Sequence, residues 1–459
     1  MPLTSDDIPS GSIMTEAMIS WYSSKYSVTR SAAIAAIRAL EQGIGFISIT
    51  LDSNLFSPII SSYHQNNPTT LEEDLLERSK RQAAWYIDPE YGSDSNSGTS
   101  VSDALKTWEE VIRRLPQGKL NQDTAFTFLN DLPTTDPFHL SGWDVDRRYS
   151  LTFNGTRRTL FSGSLSAATA RNSGTNTATQ VTDTSVSSWT PYISGGNMLV
   201  FTSGSVSGMT AFIAKNLGGN AARISTPFST SSFTEAAPAQ NNTYNLVKLT
   251  SIPRWSIGAV SLGRTVNFND IDFYTTTPAP HFISSSAINF KDCRFYATPF
   301  IAGFVRYYNC CFQILQGYGG FSLVWAGLVY QSGGLAQNEI EFGQQVQISN
   351  GTLFQNCQLS VFNGGYARIY DAAVFDYSGD AVDLHAFGLI RAEALWGSGN
   401  TGYGINIRGS GKLAVNGTNA ITGSNGAIRL FDTTYSWNDV ANADDYIQSA
   451  TSSACITPM

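Results

Sequence analysis

The chain has 459 residues, 42% of them hydrophobic and 12% aromatic, which is enough apolar material for a large core and excludes wholesale disorder. Charged residues make up only 14%, and a net charge of −8 with no basic stretch excludes broad binding to nucleic acid or anionic membrane. The longest apolar run, 321–330, is about half the length of a membrane-spanning helix, so no membrane insertion is expected.

Residues 1–9 lack a basic start followed by an apolar run, so synthesis in a cytoplasm is expected. Residues 1–84 read as a small, mostly helical domain. Thr29 caps a helix with Ala33, Ile34, Ile37 and Leu40 on one face and Gly43 as its stop; a short strand over 44–51 follows. A capping box, Thr70-Leu-Glu-Glu73, opens a second helix that runs to about Ala84. Both helices are short and only partly apolar, so this segment is expected to pack on its own copies or on another protein. Residues 85–123 read as a strand, a loop crowded with turn formers and a helix opened by Thr107-x-x-Glu110. With Trp108, Val111, Ile112 and Leu115 facing inward, that helix suits the lid of a solenoid, whose open end would otherwise expose its core.

From Thr124 to about residue 430 the chain reads as strands, with Phe126 and Phe128, and Leu151 and Phe153, alternating with polar neighbours. Residues 165–187, rich in Ser, Thr and Ala, read as an extended loop. Residues 188–250 carry strand runs such as Met198-Leu-Val-Phe-Thr202 and Tyr244-Asn-Leu-Val-Lys-Leu249, and read as an inserted β subdomain or a projecting sheet. Residues 431–459 form a polar tail suited to a C-terminal cap.

A seven-residue phrase recurs within this region. It reads Asn267-Phe-Asn-Asp-Ile-Asp-Phe273, Asn289-Phe-Lys-Asp-Cys-Arg-Phe295 and Arg306-Tyr-Tyr-Asn-Cys-Cys-Phe312. Looser copies are Leu353-Phe-Gln-Asn-Cys-Gln-Leu359 and Arg368-Ile-Tyr-Asp-Ala-Ala-Val374, and the long gap before residue 353 has room for two degenerate ones. A short strand that ends on a turn-forming Asp or Asn and returns every twenty residues or so predicts stacked coils. In that register Asp270, Asp292, Asn309, Asn356 and Asp371 form one structural ladder. Cys293, Cys310 and Cys357 form a buried stack beside it, at the position that Ile271 and Ala372 occupy in other copies. Five cysteines without ribbon or finger spacing and four scattered histidines predict no metal site, and no cofactor is expected.

Thr29-Arg-Ser-Ala-Ala-Ile-Ala-Ala-Ile37 with Gly43-Ile-Gly-Phe-Ile47 resembles the start of many bacteriophage tailspike and tail-fibre proteins. Tyr86-Ile-Asp-Pro-Glu-Tyr-Gly-Ser-Asp-Ser-Asn-Ser-Gly98 is similar to the entry of pectate-lyase-like right-handed parallel β-helices. Tyr403-Gly-Ile-Asn-Ile-Arg408 and Asn419-Ala-Ile-Thr-Gly423 are similar to the last coils of phage β-helix proteins. The resemblance is one of style over residues 29–430. It implies an all-β right-handed parallel β-helix behind the N-terminal attachment domain. It also implies a homotrimer fixed to the virion, to tail or portal-adaptor proteins, through residues 1–84, and in contact with the host surface polysaccharide. The alternatives are a tail-borne polysaccharide depolymerase, a capsid decoration protein or a bacterial surface β-helix protein.

A depolymerase needs two converging carboxylates, one protonated. Asp376, Asp380 and Asp383 are the best candidates, and Gly379-Asp-Ala-Val382 resembles part of the Gly-Asp-Asp motif of polygalacturonases. The second Asp is displaced, however, and the other motifs of that family are missing. Each of these acids also reads as a turn or strand residue. Glu339 and Glu341 share one side of a strand and read as a solvated face. Trp396, Trp325 and Trp255 are candidates for stacking on sugar rings, with burial in the coil as the competing reading.

Overall fold

In the computed structural model, the described residues lie between 83 and 431; short interior stretches, the longest 274–281, are not among them. The chain divides into two units, Met1–Arg81 and Gln82–Met459, and the described residues belong to the second. The attachment domain expected over 1–84 and the cap expected over 431–459 therefore fall almost wholly outside the described residues.

The second unit is a parallel β-helix. One wall, face A, has eleven strands in parallel register, from Ala84–Ile87 and Thr124–Phe128 through Thr265–Asn269 and Ala287–Lys291 to Leu389–Ala392 and Lys412–Val415. From Thr265–Asn269 onward a face B strand follows each face A strand after a corner; these run from Ile271–Phe273, Arg294–Ala297 and Cys311–Ile314 to Leu395–Asn400 and Ala420–Gly423. Face C comprises six strands, from Gln316–Gly317 to Gly426–Phe431. Every strand alternates, so one side chain in two enters the coil and stacks on its equivalent in the next.

Aromatic columns fill the first half of the coil. Phe126, Phe153, Phe268, Phe290 and Tyr307 stack nearly parallel, with ring centroids 5.0, 4.9, 5.0 and 5.3 Å apart. Phe273, Phe295 and Phe312 form a second column at 5.4 Å spacing and meet the first edge-on. Beyond Tyr307 the first column narrows to Val324, Ile348 and Ile369. Helix α1 (Trp108–Arg114) closes the N-terminal end: Thr107 accepts the Glu110 amide as its cap, and the Trp108 ring packs 4.8 Å from Phe138 and 5.5 Å from Phe126.

Between Asn154 and Ser251 the coil is interrupted by an antiparallel insert. Its first strand is Arg157–Ser164, so it begins well before residue 188. Residues 165–187 are not one extended loop but contribute the strands Ala167–Thr169 and Gln180–Thr182. Thr243–Ser251 ends the insert. Its body pairs antiparallel with Arg157–Ser164 and Asn197–Phe201, while Thr250 and Ser251 pair in parallel with Ile271 and Asp272 of face B.

Both sides of the insert's sheet are buried along Asn197–Phe201 and the first half of Thr210–Gly218. Leu199, Phe201, Ile213, Ile224, Tyr244 and Leu246 make its own core around Trp189. Met198, Phe212, Val247 and Leu249 point the other way, onto Cys311, Leu328, Leu353, Ala373 and Trp396, which project outward from face B. Double burial explains the nearly continuous apolar runs at 198–201 and 244–249. The insert thus covers the outer side of face B.

Candidate functional site

The polar seam between insert and coil runs along both edges of face B, at the corner after face A and at the corner after face B, because both corners supply acids. Asp270, Asp292 and Asn309 end consecutive face A strands with φ of 60°, 53° and 46°, the left-handed conformation that Asp and Asn adopt more readily than most residues. Ala326 and Asn350 continue this row with φ of 52° and 55°, and fill the gap before residue 353.

Two of the five expected ladder members depart from it. Asn356, with φ of 56°, follows the face B strand Thr352–Gln355 and stands at the next corner, beside Asp376 with φ of 58°. One ladder of five thus becomes two ladders on different corners. Both corners use a single left-handed residue followed by a buried one, so their sequences look alike. Asp371 is at the first corner, but its carboxylate accepts the indole N–H of Trp396 in the next coil at 2.9 Å and pairs with Arg171 of the insert, rather than with an equivalent corner residue.

Asp292 is the most heavily used acid. Its Oδ1 accepts Thr210 Oγ1 at 2.6 Å and Asn309 Nδ2 at 2.7 Å, and its Oδ2 accepts Arg157 Nη2 at 3.0 Å and Thr230 Oγ1 at 3.1 Å. Arg157 also holds Asp270, with Nε to Oδ1 at 2.7 Å. Burial pushes the Asp270 carboxyl up to about 7, against the pull of Arg157 and with help from the Asp292 charge. Nearby, burial raises Asp272 to about 6 although Arg294 sits 3.2 Å away.

The expected catalytic trio is dispersed among structural partners. Asp376 turns toward the insert, where its Oδ2 meets Lys215 Nζ at 2.8 Å, Arg223 Nη1 at 2.6 Å and Gln355 Nε2 at 3.0 Å. Burial pushes its carboxyl up, but these cationic and amide donors outweigh it and hold the group below its ordinary value. Asp380 Oδ1 accepts the Tyr403 amide at 2.7 Å. Asp383 is on face C, 4% exposed, 3.3 Å from His385 Nδ1 and within 3.4 Å of Asn406 Nδ2.

Two of the tryptophans are corrected. Trp396 is 1% exposed, beneath the insert, and Trp255 is 6% exposed, 4.4 Å from Phe273, so neither ring is open to a sugar. Trp325 ends the face A strand Phe321–Trp325, but its side chain lies outside the described residues, as do those of Glu339 and Glu341.

Cys293, Cys310 and Cys357 are fully buried, with their thiols directed at carbonyls: Cys293 at Phe268, Cys310 at Phe290 and Cys357 at Val329. Cys293 and Cys310 stack in adjacent coils, and Cys357 occupies the other corner. All three are expected to resist thiol reagents until the protein unfolds; rapid labelling of the native state contradicts this placement. Cys293→Ser should cost roughly 1–3 kcal/mol, as a buried hydroxyl replaces a small apolar group.

No local pattern in the sequence marks the cations of the seam, Arg157, Arg171, Lys215 and Arg223. The one available signal was a low charged fraction in which arginines fall among polar loop residues.

No family model and no curated protein matches the chain. Solved structures that match the chain include two tailspikes and a glycoside hydrolase, all at low similarity. The gp54 tailspike of Acinetobacter baumannii bacteriophage AP22, in complex with A. baumannii capsular saccharide, aligns at TM-score 0.25 and 7% identity over 72% of this chain and 70% of that one. The tailspike protein gp49 of Pseudomonas phage LKA1 aligns at 0.20 and 10%, over 69% and 67%. A glycoside hydrolase aligns at 0.20 and 8%, over 80% and 98%. The parallel β-helix itself is defined by the strand register, independently of these likenesses.

Proposed function

We propose that the chain is a bacteriophage virion protein, a homotrimeric tailspike or tail fibre that binds the host's surface polysaccharide without cleaving it. The observation that carries this reading is an outward row on face A. Asn267, Asn289, Arg306, Gln347, Arg368 and Arg391 are cross-coil equivalents, with Leu323 between Arg306 and Gln347. These six side chains are partly or fully exposed, and strands in a sheet stand about 4.8 Å apart. Amide and guanidinium groups repeated at that interval suit the hydroxyls and ring oxygens of an extended sugar chain.

Cleavage is disfavoured by the fate of the acids. Asp376, Asp380 and Asp383 each serve a structural contact. Burial raises the Asp270 carboxyl, as a proton donor would need, but Arg157 bridges it to Asp292, and Thr210 and Thr230 close over Asp292. Residues 1–84 are assigned to docking on tail or portal-adaptor proteins, on the strength of the composition break at Trp85 and the resemblance at 29–47. Closed threefold symmetry would bury a side of so sparsely charged a solenoid.

The purified full chain is expected to have a trimer's mass, to bind host cells, and to release neither reducing ends nor unsaturated sugars from envelope glycan. Particles made with protein lacking 1–84 should be bare of it. A monomer at micromolar concentration removes the trimer, and normal incorporation of the truncated protein removes the docking role. Oligosaccharide release that disappears in Asp380→Asn or Asp383→Asn establishes the depolymerase instead.

A further inference from the structure

A cleft of about 420 Å³ opens in the insert beside the first corner of the coil, lined by Arg171, Asn172, Ser173, Thr179, Thr226, Glu235 and three alanines. That volume is within the range of small-molecule sites. Its polar groups are graded in depth. Thr179 and Thr226 are buried, at 3% and 6% exposure, while the side chains of Arg171 and Glu235 remain 24% and 32% exposed. Arg171 is held from two directions, by Asp371 of the coil and by Glu235 Oε1 at 2.6 Å from Nη2. Such a pair presents fixed donors and acceptors side by side, and Ala170, Ala236 and Ala237 leave room for a ring next to them.

We infer that this cleft is a saccharide subsite for an uncharged sugar residue, a neutral hexose or an N-acetylated amino sugar. The charge count sets the class. One guanidinium stands between two carboxylates, so a uronate or other acidic sugar would meet a site already negative, whereas a hydroxyl pair can accept from Arg171 and donate to Glu235. The position sets the role. Asp371 stands two residues beyond the face A strand Tyr366–Ile369, at the corner, so a glycan lying along the outward row can turn one residue into the cleft.

This inference rests on the glycan-binding reading, and saturation-transfer NMR separates the two. The probes are methyl glycosides of glucose, galactose, rhamnose and N-acetylglucosamine, with methyl glucuronide as the acidic comparison, on the full chain at millimolar sugar. Transfer to at least one neutral glycoside is expected, with at least a tenfold weaker signal in Glu235→Ala and no loss in Val101→Ala, an exposed position outside both the row and the cleft lining. Ala237→Trp, which fills the cleft without touching a charge, should give the same loss while the thermal midpoint is unchanged. Transfer that survives both cleft variants, or is stronger for the glucuronide, overturns the inference. No transfer from a protein that still binds host cells overturns the subsite alone; no transfer and no cell binding overturn the glycan-binding reading as well.

Discussion

Asp292→Ala should destabilise the protein by about 3–5 kcal/mol, the range for removing one partner of a buried ion pair. Asp292 is 2% exposed and accepts four side-chain hydrogen bonds from three separate parts of the chain: Arg157, the Thr210 and Thr230 hydroxyls, and Asn309. Truncation takes the acceptor from Thr230 and the shorter of two acceptors from Thr210, leaves Asn309 with Thr210 Oγ1 at 2.7 Å, and leaves Arg157 with Asp270 alone. The alanine must also hold φ near 53°, a further cost of about 1 kcal/mol. Asp292→Asn keeps an acceptor and the left-handed preference, and should cost about half as much. A second readout distinguishes this account from general damage. The Asp292 charge raises the Asp270 carboxyl, so in Asp292→Asn the Asp270 carboxyl should titrate below its present value of about 7, followed by carboxyl-carbon NMR. An unchanged Asp270 titration, or an Asp292→Ala variant as stable as the parent by urea unfolding, would falsify the seam.

How much of this was legible beforehand depends on the range of the interaction. The phrase around Asp270, Asp292 and Asn309 was readable because a left-handed corner selects Asp or Asn, and because the buried residue after it must be small or apolar. The corner itself was not readable at Asn356, since both corners impose the same local demand. The insert was partly visible in Met198-Leu-Val-Phe201, whose strand is covered on both sides, and invisible at Arg157–Ser164, whose residues are exposed or half-exposed with little alternation of apolar and polar types. Its contacts with the coil were beyond any local reading: Arg157 and Asp292 are 135 residues apart, Arg223 and Asp376 are 153 apart, and Arg171 and Asp371 are 200 apart. The choice between the two readings of Trp396 depends on the same long-range packing. On an outward position of an isolated coil it would face solvent, and only the insert buries it.

Gly397→Ala should cost more than 4 kcal/mol, beyond the usual range for a single substitution, and should dismantle the last coils. Gly397 has φ of 139°, and a Cβ there would sit 2.0 Å from the Val374 carbonyl oxygen and 2.8 Å from the Val374 carbonyl carbon and amide nitrogen. These are backbone atoms of the neighbouring face B strand, so no side-chain rotation relieves the overlap. The residue also marks an irregularity in the pairing of Leu395–Asn400 with Ala420–Gly423, and its amide donates to Asn176 Oδ1 of the insert at 3.1 Å. Moving this strand therefore disturbs the coil above and the insert beside it together. Gly364→Ala is the matched comparison: its φ is 78°, but a Cβ there meets nothing within 4 Å, so only the conformational cost of about 1 kcal/mol applies. Urea unfolding of the two variants separates strain from collision. Equal losses would show that the Val374 strand yields freely and that the close approach at Gly397 is not what holds the C-terminal coils in register.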